Sequence, residues 1–424
     1  MQFSESFKKL FSKHYYDFDR ADITLYDFHP QILITVASFG IFYRNRDSFV
    51  RFIWPFIGGG FTIVGVVFEL MNIYKGAKMD EDYSYAIESF CYLVMLGCIP
   101  CIFFGILGNR IKVLELLEEM NDDFKFICNL GFGHRELFLK NQLLIWKCTI
   151  SWGVFIAFIL VMFISFPVVM LLYQSLFATQ DELMIRPLPF PIWLLKDDAY
   201  RTPNYEILLS ISLLFCVIYS AGFGGYIYLL FHFLLHYYTI LEMIILDFGV
   251  IFDGLDENLV SLPKNDTRRI STQFILNKRL GRIVNWHISV FKALSNISSV
   301  FGYPLVYQVM LSSVAICLMA YQTAKDFENG KLNFLFMLLF IAGCVQLWIP
   351  CYLGTLLRNK GFEVGDACWT CGWERNRLGQ LIRTDIVIII LRAQKPIYIR
   401  FIGVPAMELE TFSSVSLTRF SYFL

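Results

Sequence analysis

"LLIWKCTISWGVFIAFILVMFISFPVVMLLYQSLF", residues 143–177, carries a single ionisable side chain, Lys147, along its whole length. The hydrocarbon core of a bilayer, about 30 Å thick, takes about 20 apolar residues as one helix. A helix that is apolar all round does not face water, so this stretch reads as a transmembrane helix, long enough to tilt or to project beyond the bilayer. The chain around it has the same character. Of 424 residues, 56% are hydrophobic, 17% aromatic and 17% charged, with mean hydropathy +0.55, well above a soluble domain. The 36 basic and 36 acidic residues cancel, so the overall balance points to no nucleic-acid partner.

Reading outward with the same window gives seven spans: Arg51 to Tyr74, Tyr83 to Leu107, Leu143 to Phe177, Glu206 to Leu235, Ser298 to Ala324, Asn333 to Thr355 and Phe401 to Leu424. The fold class is an all-α membrane protein with seven transmembrane helices. Met1 to Arg20 carries Lys8, Lys9, Lys13, Asp17 and Asp19 and has no apolar core before a small-residue cleavage site. No signal peptide is expected, and the first span is expected to drive insertion. Between the second and third spans, Ile111, Leu114, Leu117, Met120 and Phe124 form one stripe of an amphipathic helix, Asn109 to Phe126. Thr267 to Ile297 reads as a further helix bearing Arg268, Arg269, Lys278, Arg279 and Arg282. No repeat or flexible linker divides the chain.

Cytoplasmic loops hold the excess of Lys and Arg. With the N-terminus inside, the outer loops contain Lys75, Lys78, Arg186, Lys196, Arg201, Lys325 and Lys331. The inner segments hold about three times as many cations, among them Lys8, Arg44, Arg110, Arg135, Lys264, Arg282, Arg358 and Arg383. The expected topology is inverted, N-terminus inside and C-terminus outside, the reverse of a G-protein-coupled receptor. None of the eleven cysteines falls in the outer loops, so the outer-face disulfide usual in those receptors has no partners there, and neither glycosylation sequon, at Asn265 or Asn296, lies outside.

The C-terminal quarter holds the most specific signal. In "IIILRAQKPIYIRF", residues 388–401, an apolar helix meets Arg392, Gln394, Lys395 and Pro396, with Arg400 shortly after. Pro396 lacks an N–H and disfavours helical geometry at Lys395, so it should break the segment there. An ionised Arg or Lys at mid-bilayer costs about 2.5–3.5 kcal/mol even on insertion scales, which places these cations at the inner boundary. The run Arg392-Ala393-Gln394-Lys395-Pro396, then Leu409-Glu410-Thr411-Phe412 and Ser421-Tyr422-Phe423, resembles the terminal signature of the insect odorant receptor family. Tyr352, Gly354, Val364, Ala367 and Trp373 sit where that family keeps a Tyr-x-Gly and a small-residue-then-Trp pattern.

The resemblance implies a subunit that joins three others around a central pore and opens a non-selective cation path when a volatile binds, in the plasma membrane of sensory neurons. It implies an odorant-specific subunit partnering a shared coreceptor, because the coreceptor has a longer loop than Tyr237 to Ile297 and a longer C-terminal end. Family members typically continue beyond the Ser-Tyr-Phe, whereas this sequence stops at Leu424. The resulting division is 1–355, a six-helix bundle with the odorant pocket; 356–400, a cytoplasmic anchor segment with Arg392, Gln394, Lys395 and Pro396 as its core; and 401–424, the pore helix.

Thr411, Ser414, Thr418 and Ser421, spaced by three or four, would line the aqueous path, with Leu417 and Leu424 as apolar constrictions. Spacing alone leaves open that these hydroxyls bond back to their own helix; the resemblance favours the pore. Glu408 and Glu410 are expected to pair with Arg400 or with a neighbouring subunit's Lys395. The family places its ligand among the outer halves of the second, third, fourth and sixth spans. Here that region holds Tyr85, Ser89 and Tyr92; Phe158, Met162, Phe163 and Phe166; Leu208, Ser212, Phe215 and Cys216; and Met337, Phe340 and Ile341. Aromatic and Met side chains suit a small apolar volatile, and the hydroxyls suit its one polar atom. The stiff loop with Pro187, Pro189 and Pro191 is a candidate cap.

Other chemistry is weak. The pairs Cys98/Cys101 and Cys368/Cys371 lie in a span and in a cytoplasmic segment and cannot share a zinc ion. His232 and His236 have metal-helix spacing without a third ligand and read as a satisfied helix end near the inner boundary. No phosphate loop, nucleophile elbow or paired carboxylates point to an enzyme, and no cofactor or metal is implied. The alternatives are a gustatory-type channel subunit, whose closing Thr-Tyr and Gln-Phe pattern is absent, and a poreless metabotropic receptor.

Overall fold

The computed structural model describes residues 23–41, 50–79, 83–177, 186–194, 198–328, 330, 333–399 and 406–413, without the side chains at 50–52, 54–56 and 312. Arg400, most of the last expected span, and with it Ser414, Leu417, Thr418, Ser421 and Leu424, lie outside the described residues. Among the described residues every regular element is helical. A short α1 (Leu25–Phe28), closed by the Thr24/Asp27 capping box, leads into α2 (Gln31–Ser38). The remaining helices are α3 (Val50–Tyr74, ending in a π-turn at Lys75–Met79), α4 (Tyr83–Gly108), α5 (Arg110–Cys128), α6 (Phe132–Phe177), α7 (Asn204–Gly249), α8 (Thr267–Tyr307), α9 (Ser313–Glu328), α10 (Phe334–Thr370) and α11 (Arg383–Ala393). A π-turn at Gln308–Ser312 joins α8 to α9. Six of these runs are long and apolar enough to cross a membrane, α8 and α9 counting as one.

The helix starts of the first, second, fourth and sixth spans match the sequence reading to within two residues. Their lengths do not. Helices α6 and α7 each run 46 residues, about 70 Å at about 1.5 Å per residue, against a hydrocarbon layer of about 30 Å. Helix α6 begins at Phe132 rather than Leu143, α7 continues past Leu235 to Gly249, and α10 past Thr355 to Thr370. Hydropathy marks only the part of a helix that lipid surrounds; the peptide hydrogen bonds continue into water wherever the next turns have neighbours to pack on. One end of the bundle, termed upper, carries the connections at 75–82, 186–203 and 328–333. At the lower end α5 and the extensions of α6, α7, α8 and α10 form a second bundle, against which α11 lies.

The amphipathic helix α5 forms, with a rotated face. Val113, Leu116, Leu117, Met120, Phe124 and Ile127 are buried, whereas Ile111 is 65% exposed and Leu114 only partly covered. Packing on α8 and α1 sets the face, and with it the phase that sequence spacing misjudged. Helices α4 and α8 cross closely where Pro304 frees the Val300 carbonyl: a Cβ at Gly105 would lie 2.9 Å from that oxygen and from Pro304. Asn109 ties the same crossing, its Nδ2 donating to the Ser299 carbonyl at 3.1 Å.

His232 and His236 are not at a helix end. Both are fully buried inside α7, and His236 links elements that lie far apart in sequence. Its Nε2 contacts Asp123 Oδ2 at 3.1 Å, its Nδ1 contacts Gln142 Nε2 at 3.3 Å, and Gln142 Oε1 contacts His29 Nε2 at 3.1 Å. About three turns below, Asp247, 2% exposed, accepts from Arg282 Nε at 2.6 Å and Nη2 at 2.5 Å and contacts His134 at 2.7 Å.

Candidate ligand-binding site

A cavity of about 480 Å³, partly open to its surroundings, lies in the upper bundle, walled mainly by apolar side chains as small-molecule sites are. Helix α4 supplies Tyr92, Met95 and Leu96; α6 supplies Ile159, Leu160 and Phe163; α7 supplies Phe215, Cys216, Tyr219 and Ser220; α10 supplies Leu339. Phe190, from the proline-rich 186–194 loop, closes it from above, its ring 5.2 Å from Tyr92 and 6.1 Å from Phe163. The wall is almost wholly apolar because its tyrosine hydroxyls are committed elsewhere. Tyr219 donates to Met95 Sδ at 2.9 Å, and Tyr92 donates to Glu88 at 3.5 Å.

A second space of about 300 Å³ shares the wall formed by Leu96, Phe190 and Phe215 and is completed by Gly65, Phe68 and Glu69 of α3, Ile192 and Ser212. Gly65 permits this arrangement. A Cβ there would lie 3.1 Å from Leu96 and 3.2 Å from the Phe215 ring. The loop is pinned across the top by Asn72, which donates to the Pro191 carbonyl at 2.6 Å and accepts from Trp193 N at 3.0 Å.

Of the residues expected to meet a ligand, Tyr92, Phe163, Ser212, Phe215 and Cys216 line these spaces. On α7 the periodicity holds, since positions 212, 215, 216, 219 and 220 share one face; Leu208, a turn higher, packs instead under the loop with Ile192 and Ala199. On α6 the lining residues are Ile159, Leu160 and Phe163, so Phe158 faces outward at 51% exposure and Met162 and Phe166 pack beside the cavity. On α10 Leu339 reaches in, while Met337 and Phe340 are partly covered and Ile341 is 44% exposed. Tyr85 sits above, under Lys75, whose Nζ is 5.9 Å from its ring, and Ser89 is buried beside Glu69. The cavity lies about one turn deeper than the sequence reading placed it. The participation of α3 went unread: its one ionisable residue within the span, Glu69, was the available signal.

At the lower end, α11 closes at Ala393 with Gln394 as its cap, Lys395 N donates to the Arg392 carbonyl at 3.2 Å, and the chain from Pro396 to Ile399 is no longer helical. Gly361 and Gly365 of α10 let Ile397 and Ala393 approach. The Arg392 guanidinium stacks on Phe291 at 3.7 Å, on the wall of a groove of about 1170 Å³ between α8 and α11. Glu408 and Glu410 find a partner in their own chain. Arg358 of α10 pairs with Glu408, and with Glu410 at 3.6 Å, while Thr355 Oγ1 accepts from Leu409 N at 2.9 Å. The Thr411 hydroxyl donates to the Ala406 carbonyl at 2.7 Å. Burial pushes the Cys128 and Cys371 thiols up, against the reactive thiolate.

A multi-pass, all-helical membrane protein with a roofed aromatic cavity in one half of its bundle is a receptor-like architecture. The 7tm odorant receptor family profile matches residues 112–422, and the chain belongs to that family. Similar curated proteins include odorant receptor 67c of Drosophila melanogaster, 23% identical over 33% of this chain and 34% of that protein. Odorant receptor 82a of the same species is 23% identical over 53% of this chain and 52% of that protein. The chain thus matches a third to a half of these relatives' length. The solved insect olfactory receptor OR5 from Machilis hrabei superposes with TM-score 0.68 at 14% identity, covering 93% of this chain and 96% of that one; a second structure of that receptor contains eugenol. The fold is that of this seven-helix receptor class, and the odorant family is favoured over the gustatory alternative.

Proposed function

We propose that this chain is the odorant-specific subunit of an odorant-gated, non-selective cation channel, assembled with a coreceptor in the plasma membrane of sensory neurons. The observation that carries the reading is the roofed aromatic cavity, whose almost wholly apolar wall suits a small volatile. The inverted topology rests on the distribution of Lys and Arg, which puts the cavity in the outer half and the ion-paired bundle in the cytoplasm.

In this reading residues 1–355 sense the ligand, 356–400 anchor the assembly and 401–424 line the pore through Thr411, Ser414, Leu417, Thr418, Ser421 and Leu424. Arg392, Gln394, Lys395 and Pro396 shape the lower rim, and the groove between α8 and α11, edged by exposed Ile288, Ile388 and Leu391, receives the neighbouring subunit. Helix α10 is the mechanical link. It carries Leu339 at the cavity and, farther along the same helix past Pro350, Thr355 and Arg358 on the root of the last span. A cavity that fills and swells by a fraction of an ångström moves that root through one continuous helix.

The test is to express the full chain with a coreceptor subunit and record current during exposure to a volatile panel. Odorant-evoked cation current is expected, lost in Cys216→Trp, which fills the cavity, and altered in ion selectivity or block by Thr418→Phe or Ser421→Phe. Current that persists unchanged in all three variants, or labelling that finds the N-terminus outside, overturns the proposal.

A further inference from the structure

The smaller space beside the main cavity is built around a carboxyl that the protein leaves under-satisfied. Glu69 is 3% exposed in the upper half of a membrane-spanning helix and makes no ion pair among the described residues. A carboxylate offers about four acceptor sites. It receives one long hydrogen bond, from Asn72 Nδ2 at 3.3 Å, while the second N–H of that amide goes to the Pro191 carbonyl at 2.6 Å. Ser89 lies beside the carboxyl as a second donor within reach of it. Across the same space, Ser212 is fully buried and its Oγ has no hydrogen-bond partner. Buried polar groups in native proteins are paired, and an intramembrane ionisable group without a counter-charge marks a place where something else supplies one.

We propose that Glu69 and Ser212 form a head-group chamber, and that the ligand is an apolar volatile carrying one hydrogen-bond-donating head, a hydroxyl or an amine. The inference rests on the ligand-gated reading above and specifies its ligand. The apolar body occupies the larger cavity, and the head passes the Leu96, Phe190 and Phe215 partition to meet Glu69. A hydroxyl head gives its proton to the carboxyl and accepts from Ser212 Oγ. An ammonium head instead supplies the missing counter-charge. An ether, ester or hydrocarbon brings no proton and leaves the carboxyl as it found it. The first span therefore sets head-group preference, while α4, α6, α7 and α10 set the shape of the body.

Benzyl alcohol, benzylamine, benzaldehyde and ethylbenzene differ little in shape and differ in head. In the full chain expressed with a coreceptor subunit, the better of the two donors should act at roughly tenfold to hundredfold lower concentration than ethylbenzene, with benzaldehyde between. If another volatile is the stronger agonist, the comparison is made with its own analogue lacking the donor. Glu69→Gln keeps an acceptor and removes the charge, so it separates the two heads: the amine response falls more than about tenfold and the alcohol response less than about threefold. Surface biotinylation of Glu69→Gln at the wild-type level shows that the variant folds. Ser212→Ala weakens the alcohol more than the amine. Equal potency of donor and hydrocarbon, or an unchanged head-group ranking in Glu69→Leu at normal surface level, overturns the inference. Absence of current to every volatile overturns the channel reading instead.

Discussion

Helix α7 passes through two environments, and its ionisable and polar side chains are treated differently in each. From Ser212 to Ser220 it faces a space walled by Phe, Tyr, Leu and Met, where the Ser212 hydroxyl stands alone. From His236 to Asp247 its polar groups are met by partners from other elements: Asp123 and Gln142 for His236, Lys360 for Glu242 at 3.3 Å, Arg282 and His134 for Asp247. A buried charge with several fixed partners specifies one arrangement of helices; a buried carboxyl without a counter-charge leaves room for a guest. The lower bundle is therefore read as the rigid frame and the upper bundle as the part that responds.

The comparison breaks first at Asp247. Asp247→Ala leaves the partly buried Arg282 guanidinium without its anion, a loss toward the lower end of about 3–5 kcal/mol, so surface biotinylation should find less of the variant at the membrane. Recovery at wild-type level would mean that the lower network is dispensable. Cys216→Trp should do the converse, abolishing odorant-evoked current while leaving the amount at the surface unchanged, because it fills space without removing a partner. Arg358→Ala tests the link between the regions. The maximal current should fall several-fold with surface level intact, since Glu408 and Glu410 lose the cation that seats the last span on α10. The smallest effect is expected at Gly65, where an Ala Cβ presses on Leu96 and Phe215 and shifts the partition between the two spaces by a few tenths of an ångström. A change of a few-fold in the half-maximal odorant concentration, with an altered order of agonists, is the signature to look for in dose–response recordings.

The membrane class and the starts of most spans were legible because burial in lipid demands an unbroken apolar run, which is a local property of the chain. The face of each helix was legible only where one side of it is polar. On α7 Ser212, Phe215 and Cys216 survived from the expected series, because Ser and Cys interrupt an apolar surface. On α6, where apolar residues occur all round, nothing in the sequence separates Phe158, which faces outward, from Ile159, which faces the cavity. The Arg358 partner of Glu408 was not legible for a related reason. Arg358 lies fifty positions upstream in the chain, and only the approach of the last segment to α10, where a Cβ at Gly354 would sit within bonding range of the Met407 carbonyl, brings the two together.

Composition and hydropathy by themselves determined an all-helical membrane chain, its number of crossings and, through Lys and Arg, its expected orientation, because transfer of a segment into lipid depends on that segment alone. Tertiary structure decided which face of each helix looks inward, that α3 brings Glu69 to the ligand space, and that His236 of α7 belongs to a polar network rather than a helix end. Those outcomes depend on distances between residues far apart in the chain, and no periodicity within one helix encodes them.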